Sequence, residues 1–508
     1  MLLSYAQVNM GKRSLVSEDL SPARSAEPYL LDHRLVFVLS WYVQGAQTIG
    51  AGMKALGRGP AAMAIGLAAA TAVAMLPGAA GAATGGTVGN FAYGELQATT
   101  AGQSGCGTNT AGEPAIHVSK DNLVGLGSEN GLGGGSVYWT GTQVGGSTSA
   151  QPCALTYDGQ PNAVSGFGAS GGDIDTAFAP VKGTSGTYRI YVASLNLASV
   201  HVATSTDNGK TWSQTPVQGG LPVDDREWIA AYGADTSLLS YHDISTSNID
   251  ILRTDNGGQT YTQTSQAIPA TDYKAGSNEL GNLVIDHNSG TGTSTSPFYA
   301  YQSFVAPSTS SGSEFNEAFL AVSADGGKTW IDRPIPCSTG WGGSLDHNFP
   351  NVSVAPNGTL SYAVSNDTNV FTATSSDHGA TWTCSGPVST NTAQAIFPWQ
   401  VATNSGVDLV YYGAPTKTNQ TWSVYFVQNT GTGWGTPQQL MPVHTGTVCE
   451  GGVSCSGGRQ LLDDFGVDTD QSGWAHIAYS HDSPDLGGAN SFTGYAVQTA
   501  GTPIGAPN

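Results

Sequence analysis

Ionisable residues recur at one point of a repeated pattern: Glu113, Asp173 with Asp175, Asp224-Asp225-Arg226-Glu227, Glu279, Asp346-His347, and Arg459 with Asp463-Asp464. Each group stands just ahead of a short apolar run. Charged residues make up only 11% of the chain, against about 25% in an ordinary soluble domain, so their recurrence points to side chains that converge. Carboxyl groups crowded into a half-dry site cannot all ionise. Some then keep a proton and can act as general acid, while a neighbour beside Arg stays charged as base or nucleophile. Asp225, Glu227, Asp346 and Asp464 are the catalytic candidates. Arg226 and Arg459, whose guanidinium forks suit carboxylates and hydroxyls, are candidates for holding a substrate, with His347, Glu113 and Asp175. Paired carboxyl groups of this kind suit glycosidic bond cleavage. The rival reading is structural: acids at strand starts bond turn backbones or pair with Arg. No cofactor is expected; the same carboxylates would suit Ca²⁺, without an EF-hand-type loop to support it. Trp139, Trp341 and Trp399 are candidates to stack on sugar faces, against the alternative that they are core.

The elements that must carry these groups are short strands. Ser205-Thr206-Asp207-Asn208-Gly209-Lys210-Thr211-Trp212 fits S-x-D-x-G-x-T-W, as do Ser323 to Trp330 and Ser375 to Trp382. Thr254 to Tyr261 is a fourth copy, aligned on Asp255 with one extra residue, and Asn429 to Trp434 a reduced fifth. Asp bonds its own backbone, Gly supplies a positive φ and the aromatic packs beneath, so each copy predicts a hairpin turn. The spacings are 48, 70, 52 and 52 residues, and a period near 50 is the mark of a propeller or solenoid. Runs such as Leu360 to Val364 and Ala475 to Tyr479, separated by Gly and Asn turns, read as up-and-down four-stranded sheets. About seven units follow, near 113–165, 173–220, 224–268, 279–337, 346–390, 396–441 and 459–500. The expected fold is all-β: a β-propeller of four-stranded antiparallel blades, with seven blades, or six as the fallback.

With these turns at this spacing the chain resembles the sialidase superfamily, the BNR/Asp-box repeat proteins, over about 90–500. The resemblance implies a propeller whose Asp-box turns are peripheral and structural. It also implies an active site of three substrate-clamping Arg, a Tyr–Glu nucleophile pair and an Asp acid/base. The family's Phe-Arg-Ile-Pro motif is absent; Tyr188-Arg189-Ile190-Tyr191 matches it only in part. Of the five Arg beyond residue 82, Arg253 and Arg333 flank turns, which leaves Arg226 and Arg459 as clamp candidates.

Lys54 and Arg58, the uncharged run Ala61 to Met75 and Ala80-Gly81-Ala82 read as a signal peptide over 53–82, behind a leader at 1–52 of doubtful authenticity. The rest divides into an N-terminal linker at 83–112, a propeller domain at 113–500 and a tail at 501–508. Residues 1–82 take six of the 17 basic and four of the 37 acidic residues, leaving 11 against 33. That balance excludes a nucleic-acid binder that works by neutralising phosphates. The six Cys, all beyond the signal peptide, are expected to pair with sequence neighbours in an oxidising compartment. The resulting expectation is a secreted, monomeric protein without a membrane span, whose partner is an extracellular carbohydrate. A sialidase-like glycoside hydrolase, a non-catalytic glycan- or protein-binding propeller and a polysaccharide lyase are the three functions carried forward.

Overall fold

The computed structural model describes residues 85–130, 135–163, 172–196, 199–217, 224–347, 349–418, 420–451, 455–482 and 490–508. The expected leader and signal peptide lie outside them. Seven antiparallel sheets form a β-propeller. Blade 1 opens on the strand Gly112–Val118, blade 2 on Ile174–Phe178, blade 3 on Asp224–Tyr232 and blade 4 on Glu279–Ile285. Blades 5, 6 and 7 open on Asn351–Val354, Gln394–Ala402 and Gly466–Thr469. These inner strands pack against one another in order, and the seventh packs against the first, so the ring is closed. Second strands such as Leu360–Ser365 are buried along their whole length, because both faces of a blade are covered by neighbouring blades. That is why they read as continuous apolar runs rather than alternating ones.

The seventh blade is built from both ends of the described chain. Gly466–Thr469, Ala475–Asp482 and Ser491–Gln498 are followed outward by Phe91–Glu95 and then Gly86–Val88. The stretch 83–112, expected to be a linker, therefore supplies two strands, with Phe91 paired to Gln498. A linker reading follows from repeat counting alone, since a lone outer strand carries no turn motif. Cys106–Cys153 joins the segment after Phe91–Glu95 to blade 1, Cys337–Cys384 joins blades 4 and 5, and Cys449–Cys455 pinches the loop between blades 6 and 7. All three pairs are the neighbour pairs expected from sequence.

The recurring turns join the third and fourth strands of blades 2 to 6. In the first, Ser205 Oγ donates to Asp207 at 2.8 Å, and the Thr211 amide and hydroxyl donate to Asp207 at 2.9 and 2.6 Å. The same bonds recur at Asp325 and Asp377. In the fourth copy Asn256, not Asp255, takes the role, accepting from the Thr260 amide at 3.1 Å; no residue is inserted. Asp255 instead pairs with Arg253 at 2.7 Å. Third strands run parallel to inner strands, so these turns lie on the face opposite the inner-strand starts. Arg253 donates to Gly326 O of the next blade's turn, and Arg333 to His378 O of the one after. Both Arg are thus committed to turns on that far face.

Buried carboxyl groups away from the hub give the fold a pH dependence. Asp408, fully buried in blade 6, accepts from Gln428 Nε2 at 2.8 Å through one oxygen while the other has no partner. Burial pushes it up to about 8. Burial likewise pushes Glu95 and Asp158 up to about 7. Unfolded carboxyls titrate near 4, so the folded chain holds more protons than the unfolded one between about pH 4 and 8. Stability is then fullest below that window and declines as pH rises through it. The melting temperature should fall by several degrees from pH 5 to pH 9 in calorimetry, and Asp408→Asn should flatten the upper part of that decline. A melting temperature that climbs over this range would contradict the assignment.

Candidate functional site

The starts of the inner strands meet at one mouth of the ring. Inner strands carry a bulge at this point in blades 1, 3, 4 and 6, where the register slips at Gly112/Ala115, Asp225/Trp228, Leu280/Leu283 and Ile396/Trp399. Glu113, Arg226 and Phe397 occupy three of these bulges with φ of 56°, 58° and 53°. Positive φ at non-glycine residues is costly, and bulges re-aim side chains. Here they turn Glu113 and Arg226 toward each other across the hub.

Arg226 is the centre of the group. Its Nη1 lies 3.1 Å from Glu113 Oε1 and 3.3 Å from Asp173 Oδ2, and its Nη2 lies 2.6 Å from Asp463 Oδ2. The Phe349 ring centroid lies 4.2 Å from its guanidinium carbon, a cation–π contact. Arg459 donates to the same oxygen of Asp463. Four blades or their entry loops thus meet through one guanidinium and its ion partners.

Electrostatics divides the acids. Burial pushes Asp463 up, but Arg226 and Arg459 outweigh it and hold the carboxyl below its ordinary value. Burial raises Glu227 well above the usual range, helped by the charge of Asp173; neither of its oxygens has a hydrogen-bond partner. Burial also raises Asp464 well above that range, and Arg226 offsets only part of this. The mouth therefore holds carboxyl groups poised in both protonation states, which is the arrangement acid–base chemistry needs.

Of the nine residues singled out from sequence, Arg226, Arg459 and Glu113 come together directly, with Asp225, Glu227 and Asp464 beside them within electrostatic reach. Asp225 is half-buried, while Glu227 is only 2% exposed. Asp346 and His347 form a second group: His347 Nδ1 lies 2.8 Å from Glu450 Oε2, and its Nε2 lies 3.8 Å from Asp346. Asp175 is committed elsewhere. Its carboxylate accepts from the Thr176 and Ile229 amides, both at 2.8 Å, latching blade 2 to blade 3. Asp468 and Asn282 make the same latch onto Val118 and Val352, at 2.7 and 2.8 Å. Trp139 is fully buried, Trp399 packs against Trp228 and Trp341 stacks on Phe371; all three serve packing.

Sequence reasoning placed Asp173 and Asp463 at the mouth without giving them a role, and missed Glu129 and Glu450. Glu129 ends the second strand of blade 1 and is paired in register opposite Gly112. An antiparallel second strand returns to the mouth it left, so its last residue was a readable signal. Glu450 follows Cys449, and nothing local marks it.

Past the mouth the later residues of the inner strands, with His117, Asp175, Trp399 and Asp468 among them, line a central cavity of about 150 Å³. The expected tail crosses its far end: Pro507 bridges to Thr403, and Asn508 donates to Ile285 O at 3.2 Å. Among the described residues no helix is long and apolar enough to cross a membrane.

No known protein family and no curated protein matches the chain. Among solved structures it is similar to a GH74 xyloglucanase from Xanthomonas campestris, at 13% identity over 79% of this chain and 55% of that one, with a TM-score of 0.41. It is similar also to an α-L-arabinanase from Penicillium chrysogenum, at 14% identity over 63% and 92% with a TM-score of 0.40. An α-L-arabinofuranosidase from Fusarium graminearum gives 12% over 77% and 93%, with a TM-score of 0.41. The chain spans about half the length of the xyloglucanase. Likeness at this level adds nothing to the propeller described above and says nothing of activity.

Proposed function

We propose that the protein is an extracellular glycoside hydrolase that works at the mouth where the inner strands begin. The observation that carries this reading is the convergence of Arg226, Arg459 and their surrounding carboxyl groups in a chain otherwise poor in charge. Glu227 and Asp464, kept protonated by burial, are the proton reservoir, and half-buried Asp225 is the group a substrate reaches. Both guanidinia are already taken by the chain's own carboxylates. A free Arg clamp for a sialic acid or uronate carboxylate is therefore not what they supply, and an uncharged glycan suits the mouth better. Three disulfides fit an oxidising compartment.

The test is a product-release screen of the purified protein on sialosides, neutral polysaccharides and uronic-acid polysaccharides. Release from a neutral glycan is expected, and Asp225→Asn should lower turnover by about 10²–10⁴-fold with its circular dichroism unchanged. Products absorbing as unsaturated sugars would instead mean a lyase. The saturated ion pairs of Arg226 favour one further reading, a propeller that binds glycan without cleaving it. Binding with no product from any substrate would establish that one.

A further inference from the structure

The mouth holds more carboxyl groups than its two guanidinia can serve. Among the described residues, Glu113, Glu129, Asp173, Glu227, Asp463 and Asp464 face the two guanidinia of Arg226 and Arg459. Within that group, one carboxylate oxygen from each of Glu113, Glu129 and Asp173 lies within 4.8 Å of the other two. Glu113 and Glu129 are 2% and 4% exposed, and their side chains stand within hydrogen-bonding reach of each other. Two buried carboxyl groups at that range either share a proton or hold a positive charge between them. Arg226 fills that place only in part: its Nη1 reaches Glu113 through Oε1 at 3.1 Å and Asp173 through Oδ2 at 3.3 Å. Glu113 Oε2 accepts no hydrogen bond. Nearby Glu227, 2% exposed, also has both oxygens unpartnered. Register and strain fix the arrangement: Glu129 returns to the mouth opposite Gly112, and Glu113 is held on its bulge at φ 56°.

We propose that Glu113, Glu129 and Asp173 bind a divalent cation, Ca²⁺, at the propeller's mouth. The donor set is all oxygen, and its carboxyl groups give up their protons on binding metal, which suits a hard cation. Ca²⁺ takes six to eight oxygens at about 2.3–2.6 Å in flexible geometry, so carboxylates with free second oxygens, water and sugar hydroxyls can complete its shell. The second acidic group of the mouth, His347, Asp367 and Glu450, also has ligand atoms within 4.8 Å of one another. There, however, His347 already donates to Glu450 at 2.8 Å and Gln394 donates to Asp367 at 3.1 Å, so the contacts are satisfied without an ion. The cation site stands or falls apart from the hydrolase reading, because its readout is binding and not turnover.

The experiment uses the full chain, stripped with EDTA, exchanged into chelator-free buffer at about pH 7.5 and titrated with CaCl₂ by calorimetry. One site is expected. At Ca²⁺ about a hundredfold above the dissociation constant, the melting temperature should rise by roughly 3 °C. Glu129→Gln should weaken binding at least tenfold while melting like the stripped wild type. Asp173→Asn serves as the second variant should that one fold poorly, and Glu450→Gln should bind as wild type does. Absence of binding up to about 1 mM overturns the proposal. So does binding that survives both Glu129→Gln and Asp173→Asn, or that is lost only in Glu450→Gln.

Discussion

Replacing Arg226 by methionine is expected to cost about 3–5 kcal/mol of stability and to abolish any turnover at the mouth. The guanidinium is only 17% exposed and pairs with Glu113, Asp173 and Asp463, whose side chains are 3%, 19% and 0% exposed. Burial works against its charge, but the three carboxylates outweigh that and raise its proton affinity further. Methionine keeps the bulk over Phe349 and removes the charge, so three buried acids lose their shared partner. Arg459 still reaches Asp463, which keeps the loss from being larger. Arg226→Lys retains a point charge without the fork, and should recover part of the stability but little of the activity. Urea unfolding measures both. A loss under about 1 kcal/mol for Arg226→Met would mean that the ion group contributes nothing net.

Removing the Cys106–Cys153 bridge, level with Cys337–Cys384 at the same sequence separation, should be the next largest effect. It closes 47 residues, whereas Cys449–Cys455 closes six. Chain-entropy accounting gives about 4 kcal/mol for the first and about 2 kcal/mol for the second. The paired Cys→Ser variants, compared by urea midpoint, should keep that order. The larger bridge also ties the segment following Phe91–Glu95 to blade 1, next to the joint where the ring shuts. Hydrogen exchange in the Cys106/Cys153 variant should therefore speed up first in strands 86–95. A reversed order of the two losses would show that native-state effects dominate the entropy term.

What could be read from sequence is what local chemistry determines. The S-x-D-x-G-x-T-W turns were readable because a short side chain bonds its own backbone within four residues; Asp207, Asp325 and Asp377 make the same bonds in three blades. Copying then gave the period, and the period gave the ring. The fourth copy was misaligned because two adjacent residues, Asp255 and Asn256, both suit the role, and only the Arg253 pair shows which one is free to take it. At the mouth, position in the repeat told which residues arrive but not what they do on arrival. Asp175 and Asp173 are two residues apart on the way into one inner strand, yet one latches a blade joint and the other faces Arg226. That difference is set by what a neighbouring blade presents at each depth along the strand, which no single repeat contains. Glu129 was missed for the converse reason: it reaches the mouth from a second strand.

The seventh blade draws together segments that are distant in sequence: the Asn109 side chain accepts from the Thr493 amide, 384 residues away. During synthesis the partner of Phe91–Glu95 is therefore the last blade strand to be made. Until it emerges, six sheets can assemble only as an arc with a bare apolar sheet face at each end, and such faces recruit other chains. Contacts of such long range are slow to form. Delivery of the whole polypeptide, rather than the chemistry of any one blade, would then govern the yield of folded protein, and a truncated product would be hazardous rather than merely inert.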